Sequence, residues 1–217
     1  MEDECHGQNG TPPDGRPPMA WPIYVALGDS PGAGRHPETT WPAQLARTLT
    51  ERTGRPCALT DLRAGPATVA QIIDDQFPAV PGLRADLVSV TVGLTDVQDP
   101  GFEECRFGSD LKWLFDGLAA MSATLLTCTL PGVAERLHVP AVLVPMIHDR
   151  MRAASEAIRA EASAHDALCV DAWSLPGMAD PANYSENDLT SRGHRLLAGA
   201  FADLMTGPTL RARPGRP

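Results

Sequence analysis

The sequence is poor in positive charge, in lysine and in aromatic residues. It has 18 Lys and Arg residues against 27 Asp and Glu, which gives a formal net charge of −9, and Lys112 is its single lysine. A general nucleic-acid-binding protein presents a basic face to phosphate groups, so this balance excludes that class. Aromatic residues make up only 5% of the chain and form no aromatic and basic stripe, which also argues against a nucleic-acid partner.

Paired cysteines and long apolar runs are missing as well. The five cysteines are scattered, without a CxxC pair or a Cys/His cluster at zinc-finger spacing. We therefore expect no disulfide framework, no metal and no cofactor. No apolar stretch approaches the roughly 18 residues of a membrane span, and residues 1–18 contain no apolar segment. The sequence thus predicts a cytoplasmic protein with no membrane contact.

The remaining composition is that of an ordinary globular domain. Of the 217 residues, 43% are hydrophobic and 21% are charged, which is enough for one hydrophobic core. Residues 1–19 are rich in Gly, Pro and acidic side chains, and residues 207–217 are rich in Pro and Arg. We expect both ends to be disordered and residues 20–206 to form a single domain.

Short apolar runs alternate with amphipathic stretches in this central part. The patterns predict strands at 23–29, 57–62, 86–94, 125–130 and 167–173, and helices at 42–54, 68–76, 109–125, 148–166 and 191–207. The alternation predicts a three-layer α/β/α sandwich with a parallel, flavodoxin-like sheet of about five strands. In such a sheet the ligand site lies beyond the carboxyl ends of the strands.

The first predicted strand ends in a turn of small residues, GDSPGAG at 28–34. A hydroxyl at this corner can be exposed beside the free N–H groups of a following helix, so Ser30 is a candidate nucleophile. The structural alternative is that Ser30 only caps a helix that begins at Pro31. A phosphate-binding loop fits less well, because the turn lacks the GK[ST] ending.

Four motifs in a fixed order give a resemblance to a known family. YVALGDSPGAG is followed by Gly65 in LRAGPAT, by VTVGLTD and, late in the chain, by SENDLTSRGHRLLA. In this order the motifs resemble the SGNH/GDSL hydrolases, a family of esterases, lipases and acyltransferases. The resemblance covers nearly the whole predicted domain, and it implies an SGNH-type α/β sandwich and a hydrolase-like enzyme.

The resemblance also implies roles for single residues. Ser30 matches the nucleophile, and its N–H and that of Gly65 match two of the three oxyanion donors. The third donor is usually the Asn of a Gly-x-Asn-Asp block, where this sequence has Thr95 before Asp96. Threonine is shorter than asparagine, and losing one oxyanion donor costs roughly 2.7 to 4 kcal/mol of barrier.

The late motif lacks the usual base. The family has Asp-x-x-His there, but counting back from Gly193 places Asp188 where His is expected and Ser185 where Asp is expected. A two-residue deletion would explain the pattern equally well. An ordinary carboxylate is a poor base for a serine hydroxyl. Either another histidine substitutes or the chemistry is not ordinary ester hydrolysis.

Two histidines are candidates for the missing base. His148 follows the apolar run PAVLVPMI, and we expect it at the mouth of the site if that connection folds over the sheet. His194 is the second candidate, and its structural alternative is to pack or cap the closing helix. Neither belongs to a metal-ligand cluster.

Four carboxylates are expected around the pocket, namely Asp29, Asp96, Glu186 and Asp188. Asp29 and Asp96 equally fit a structural role as acceptors for N–H groups of turns. Asp188 fits a base or an electrostatic partner of a reacting group, and its structural alternative is a cap on the closing helix.

Three functions are compatible with this pattern. We favour an SGNH-fold enzyme that uses pocket carboxylates for non-hydrolytic chemistry, such as cyclisation or elimination, on a small-molecule biosynthetic intermediate. The alternatives are a serine ester hydrolase or acyltransferase with a displaced histidine, and a non-catalytic partner of an enzyme in the same pathway. By analogy, an Arg- and Pro-rich chain with an altered site fits bacterial specialised metabolism.

Overall fold

The computed structural model describes residues 21–30, 37–63, 65–122, 124–185 and 188–206. The two ends with predicted disorder and Glu186 lie outside the described residues. A parallel sheet has the strand order β2-β1-β3-β4-β5, formed by β1 Ile23–Gly28, β2 Ala58–Asp61, β3 Leu87–Thr91, β4 Thr124–Cys128 and β5 Leu168–Val170. This is the flavodoxin-like order, and it confirms the predicted α/β fold class.

Helices connect the strands. They are α1 Trp41–Thr53, α2 Val69–Gln71, α3 Val80–Leu83, α4 Leu94–Gln98, α5 Glu104–Met121, α6 Val144–Ala164 and α7 Ser191–Thr206. A π-helical turn, Ile72–Gln76, and five 3-10 turns lie between them, at Pro37–Thr39, Phe77–Ala79, Ala134–Arg136, Ala141–Leu143 and Pro181–Asn183. The antiparallel pair β6 Tyr184–Ser185 and β7 Asp188–Leu189 precedes α7. Within the described ranges, no helix is long and apolar enough to cross a membrane.

The three central strands, β1, β3 and β4, are buried along most of their length, which explains why they are apolar runs rather than alternating ones. The edge strand β2 has exposed ends. Along β1, Val25 and Leu27 join the core on the side of α5 and α6. Tyr24 and Ala26 point the other way and join the core formed with α1 and α7. The layers therefore follow from side-chain alternation in a strand that is apolar throughout.

Several element boundaries differ from the sequence prediction. The strand predicted to run to residue 94 ends at Thr91, because Gly93 adopts a φ of 104° and α4 begins at the next residue. Helix α5 begins at Glu104, so Ser109, the first residue of the predicted helix, lies inside it and donates its hydroxyl to the carbonyl of Cys105 at 2.9 Å. Helix α6 already begins at Val144, so the apolar run before residue 148 is largely helix and not a mobile connection.

Candidate active site

A cavity opens at the carboxyl end of the sheet, where the segments after the strands meet. Its volume is about 120 Å³, enough to admit a small ligand. This is the edge at which parallel α/β sheets bind ligands. The polar side chains in its wall include Asp29, Ser30, Arg63, Tyr184, Asp188 and His194.

The turn that carries Ser30 is fixed by close backbone contacts. Gly28 has a φ of 132°, and a Cβ there would lie 2.1 Å from the carbonyl oxygen of Thr91, so only glycine fits. The side-chain amide of Gln76 accepts from the N–H of Gly28 at 2.8 Å and donates to its carbonyl at 3.2 Å. Ser30, which is only 4% exposed, donates its N–H to the carbonyl of Gly65 at 3.0 Å. The nucleophile candidate is therefore held rigidly at the cavity wall.

Asp29 is a buried acceptor for backbone N–H groups. One carboxylate oxygen accepts from Thr95 at 2.6 Å and the other from Ala67 at 3.3 Å. Burial raises the pKa of Asp29 to about 6 although these hydrogen bonds oppose the shift, and the charge of Asp188 raises it further. Asp29 thus ties the segments after β2 and β3 to the Ser30 turn, and its catalytic role stays a prediction.

The other residues expected around an oxyanion do not line the cavity. Among the described residues that line the cavity, Gly65, Thr95 and Asp96 do not occur. Asp96 accepts from the N–H of Val69 at 3.1 and 3.2 Å, and burial raises its pKa to about 6. Thr95 directs its N–H and its hydroxyl to Asp29. The N–H groups of Ser30 and Thr95 would have to leave Gly65 and Asp29 to serve an oxyanion. The oxyanion roles of Gly65 and Thr95 stay predictions.

Asp188 and His194 form a carboxylate-imidazole pair in the cavity wall. His194 Nε2 lies 4.0 Å from Asp188 Oδ2, and His194 Nδ1 accepts from the N–H of Trp41 at 3.3 Å. Because Nδ1 accepts, the neutral ring carries its proton on Nε2, which faces the carboxylate. Burial lowers the pKa of His194; the charge of Asp188 opposes this and that of Arg63 adds to it. The imidazole of His194 is therefore neutral, and its protonated Nε2 is directed toward Asp188.

A glycine sets the position of this imidazole. A Cβ on Gly193 would lie 2.4 Å from the carbonyl oxygen of Asn183 and 3.0 Å from Leu189 Cδ2. Helix α7 can therefore pack against the preceding hairpin only if residue 193 lacks a side chain. The following residue, His194, is only 6% exposed as a result of this packing.

His148 lies elsewhere. It sits in α6, its side chain is 39% exposed, and its ring centroid lies 5.3 Å from that of Trp173. Its Nδ1 is 3.7 Å from a carboxylate oxygen of Asp149, and it is not among the described residues that line the cavity. The expectation that His148 reaches the mouth of the site rested on a connection that is in fact a helix.

Two arginines and a tyrosine in the cavity wall were not expected from the sequence. The guanidinium of Arg63 lies over the Trp41 ring, 5.5 Å from its centroid, and pairs with Asp61 at 2.7 Å. Arg136 and Tyr184 line the cavity from the segments after β4 and before α7. No sequence motif marks them, because their role depends on which loops meet at this edge. No cluster of three or more potential metal ligands occurs in the part of the chain that the structure describes.

Comparisons with known proteins agree with the fold. The sequence model described as the GDSL-like lipase/acylhydrolase family matches residues 26–196. An α/β hydrolase enzyme from the metagenome of Lake Arreo, Spain, is 22% identical, with 84% of this chain and 94% of that chain covered and a TM-score of 0.69. An acetylxylan esterase from Geobacillus stearothermophilus is 15% identical, with coverages of 91% and 100% and a TM-score of 0.70. No curated protein matches the sequence.

Proposed function

Because the chain belongs to the GDSL-like lipase/acylhydrolase family, we propose that it transfers small acyl groups, with Ser30 as nucleophile and Asp188 as base. The observation that carries this proposal is that Ser30, Asp188 and His194 line one cavity. The cavity volume of about 120 Å³ favours a small acyl group. Esterases among proteins of the same fold are consistent with this chemistry.

The proposed step moves one proton and one acyl group. The oxygen of Ser30 bonds to the carbonyl carbon while its proton passes to the carboxylate of Asp188, and the carbonyl electron pair moves to the oxygen. The tetrahedral intermediate then expels the leaving group, which takes the proton from Asp188, and an acyl-serine remains. Water hydrolyses this ester, or another acceptor takes the acyl group. His194 does not touch the substrate in this scheme. Its Nε2 lies 4.0 Å from Asp188 Oδ2, and it would orient this carboxylate once the two approach to hydrogen-bond distance.

The site favours activated acyl donors. A carboxylate is a weaker base than an imidazole, and the N–H of Ser30 is already bonded to Gly65. Both features raise the barrier to attack. A more electrophilic carbonyl lowers that barrier, so thioesters and aryl esters should react where alkyl esters do not.

Labelling and turnover test this proposal together. We expect a fluorophosphonate to label the wild type, and p-nitrophenyl acetate to be cleaved, with both lost in Ser30→Ala. Asp188→Asn should lower turnover by about 10²- to 10⁴-fold, the usual contribution of a general base. Asp149→Asn is the control for Asp188→Asn, and His148→Gln is the control for His194→Gln. Of the residues that the structure describes, those that line the cavity include neither Asp149 nor His148. If the wild type is neither labelled nor active, the acyl-enzyme mechanism is ruled out.

A second candidate function is acid-base chemistry by the carboxylates alone, on a biosynthetic intermediate that cyclises or eliminates. It is favoured by the pKa of Asp29, which lies at about 6 and is raised in part by the charge of Asp188. Two neighbouring carboxyls with separate proton affinities can serve as acid and base. In that case Asp188→Asn abolishes activity on the true substrate while Ser30→Ala does not.

A non-catalytic subunit is the remaining alternative. It would form a stable complex with a partner enzyme, and the activity of that enzyme would survive alanine at Ser30, Asp96 and Asp188 together. This result would overturn both catalytic proposals.

A further inference from the structure

The hydroxyl of Tyr184 is buried in the cavity wall without a hydrogen-bond partner among the described residues. Burial raises the pKa of Tyr184 to about 12, so the group is a neutral donor. Native proteins satisfy nearly all buried polar groups, and an exception in a pocket calls for an explanation. A ligand oxygen in the cavity would supply the missing acceptor.

Arg136 brings a positive charge to the same place, and no carboxylate of the described residues lies within ion-pair distance of it. Its guanidinium carbon lies 5.8 Å from the centroid of the Tyr184 ring, and Nη2 donates to the carbonyl of Ala179 at 2.9 Å. Within the described ranges, its partner is thus a neutral carbonyl and not a carboxylate. The nearby carboxylate of Asp180 is held by Arg192 at 2.8 Å. The other cavity arginine, Arg63, is already paired with Asp61 at 2.7 Å.

The strand order separates this polar pair from Ser30. Ser30 follows β1 and Arg136 follows β4, with β3 between the two strands. Neighbouring strands lie about 4.8 Å apart, so the ends of β1 and β4 are about 10 Å apart. Val92, Leu130 and Val133, from the segments after β3 and β4, line the cavity. Arg136 and Tyr184 line the same cavity as Ser30, and an acyl group that extends from Ser30 along these apolar residues runs toward them.

We propose that Arg136 and Tyr184 bind a carboxylate at the far end of the acyl chain, so that the substrates are monoesters or monothioesters of short dicarboxylic acids. One guanidinium and one hydroxyl match a single negative charge, and charge-assisted hydrogen bonds of this kind are strong. The cavity of about 120 Å³ accommodates a short chain of this type. That the ligand bound between Ser30 and Arg136 is an acyl group rests on the proposed function of Ser30.

Ligand binding tests this proposal without turnover. The full chain carrying Ser30→Ala is titrated by calorimetry with monomethyl glutarate and with methyl hexanoate, a neutral ester of similar length. We expect the carboxylate to bind at least tenfold more tightly than the neutral ester. Adding Arg136→Gln should weaken carboxylate binding about 10- to 100-fold and change the binding of the neutral ester less than about twofold. Equal binding of the two esters, or no effect of Arg136→Gln, would overturn the proposal.

Arg195→Gln is the matched control, because it removes the same charge from an exposed position on α7 outside this cavity. It should leave both dissociation constants unchanged. If Arg136→Gln loses its fold together with the bond to Ala179, Arg136→Lys keeps the charge and serves instead. It should retain part of the preference for the carboxylate, and complete loss of that preference in a folded Arg136→Lys would count against a charge-based site.

Tyr184→Phe separates a binding role from a structural one. It removes only a hydroxyl without a partner, so the melting temperature without ligand should stay the same or rise, whereas carboxylate binding should weaken several-fold. A lower melting temperature with unchanged binding would contradict the assignment. If the protein prefers the carboxylate ligand but is not labelled by the fluorophosphonate, the acyl-enzyme proposal fails and the carboxylate subsite stands. If it is labelled but shows no such preference, the subsite fails and the acyl-enzyme proposal stands.

Discussion

At the scale of single residues, the Asp188 carboxylate stands where the family resemblance places an imidazole, and His194 supplies an imidazole from the following helix. The ring faces Asp188 with one nitrogen at 4.0 Å and accepts from Trp41 with the other at 3.3 Å. In the proposed mechanism the carboxylate is the base and the imidazole its orienting partner, the reverse of the order that the family resemblance implies. Their separation of 4.0 Å is longer than a hydrogen bond.

The buried carboxyl of Asp29 should make stability depend on pH. Its pKa of about 6 in the folded protein, against an ordinary 3.8, means that the folded chain keeps a proton that the unfolded chain releases. Its contribution to stability is therefore present below about pH 4 and is lost as the pH rises through 6. The free energy of unfolding of the wild type relative to Asp29→Asn should fall by about 2 kcal/mol from pH 4 to pH 7. Urea titrations at several pH values measure this difference, and a pH-independent difference would contradict the shift.

Gly28 should tolerate no side chain. Gly28→Ala places a Cβ 2.1 Å from the carbonyl oxygen of Thr91 at a φ of 132°, so we expect a loss of about 3 kcal/mol or more in the free energy of unfolding. Gly82→Ala is the matched control, because a Cβ there meets nothing within 4 Å. It should be neutral or slightly stabilising in chemical denaturation. Similar effects of the two substitutions would argue against the close contact at Gly28.

At the scale of elements, helix α7 and the β6-β7 hairpin position the site together. The hairpin pairs Ser185 with Asp188, and the helix carries His194 against the hairpin through Gly193. Two side chains of the site thus come from adjacent elements whose packing depends on one missing Cβ. A change in this packing should therefore affect both stability and catalysis.

Two glycines on α7 allow a direct test. Gly193→Ala meets the carbonyl oxygen of Asn183 at 2.4 Å, whereas Gly199→Ala meets nothing within 4 Å. We expect Gly193→Ala to lower the free energy of unfolding by about 1 to 3 kcal/mol and to reduce ester cleavage, because the helix must shift away from the hairpin. Gly199→Ala should be as active as the wild type and up to about 1 kcal/mol more stable, since alanine favours helix. Equal activity of the two variants would show that this packing does not position the site.

The sequence predicted which strands and helices occur better than it predicted where they begin and end. It also identified the turn that carries Ser30 better than the residues that surround this turn in space. The five strands of the parallel sheet were predicted, and the signal is most direct in β1, β3 and β4, which are buried along most of their length. The two-residue strands β6 and β7 were not predicted. The start of α5 was missed because Gly108 and Ser109 interrupt the pattern, while Phe107 continues the buried face. Tertiary packing overrides such local signals.

The residues around Ser30 depend on contacts between distant segments. The N–H of Trp41 and the ring of His194 are 153 positions apart, and no local pattern in a single sequence contains that pairing. The same reason explains why His148 was ranked first and why Arg136 and Tyr184 were missed. A site assembled from several loops is visible in sequence only where one loop carries a motif of its own.

At the scale of the whole molecule, two cores flank one sheet, and the described domain should unfold as a unit. Leu114 belongs to the core beside α5 and α6, Leu45 belongs to the core beside α1 and α7, and both are fully buried. We expect Leu114→Ala and Leu45→Ala each to lower the free energy of unfolding by about 2 to 5 kcal/mol. Val142→Ala, at a site 83% exposed, should change little.

Circular dichroism and tryptophan fluorescence should report the same unfolding midpoint in both core variants, as expected for a cooperative transition. Separate midpoints, with only one core lost in each variant, would show that the two faces are independent.

The N–H of Ser30 donates to the carbonyl of Gly65 at 3.0 Å. A substrate oxygen that is to accept from this N–H must therefore displace the Gly65 carbonyl. An ester carbonyl is a weaker acceptor than the amide carbonyl it would displace, whereas the oxyanion of a tetrahedral intermediate accepts about twice as strongly as a neutral group. In the proposed acyl transfer, the Ser30 N–H would therefore change its partner only when negative charge develops. An interaction gained in the transition state and absent in the bound ground state contributes to kcat and leaves KM unchanged.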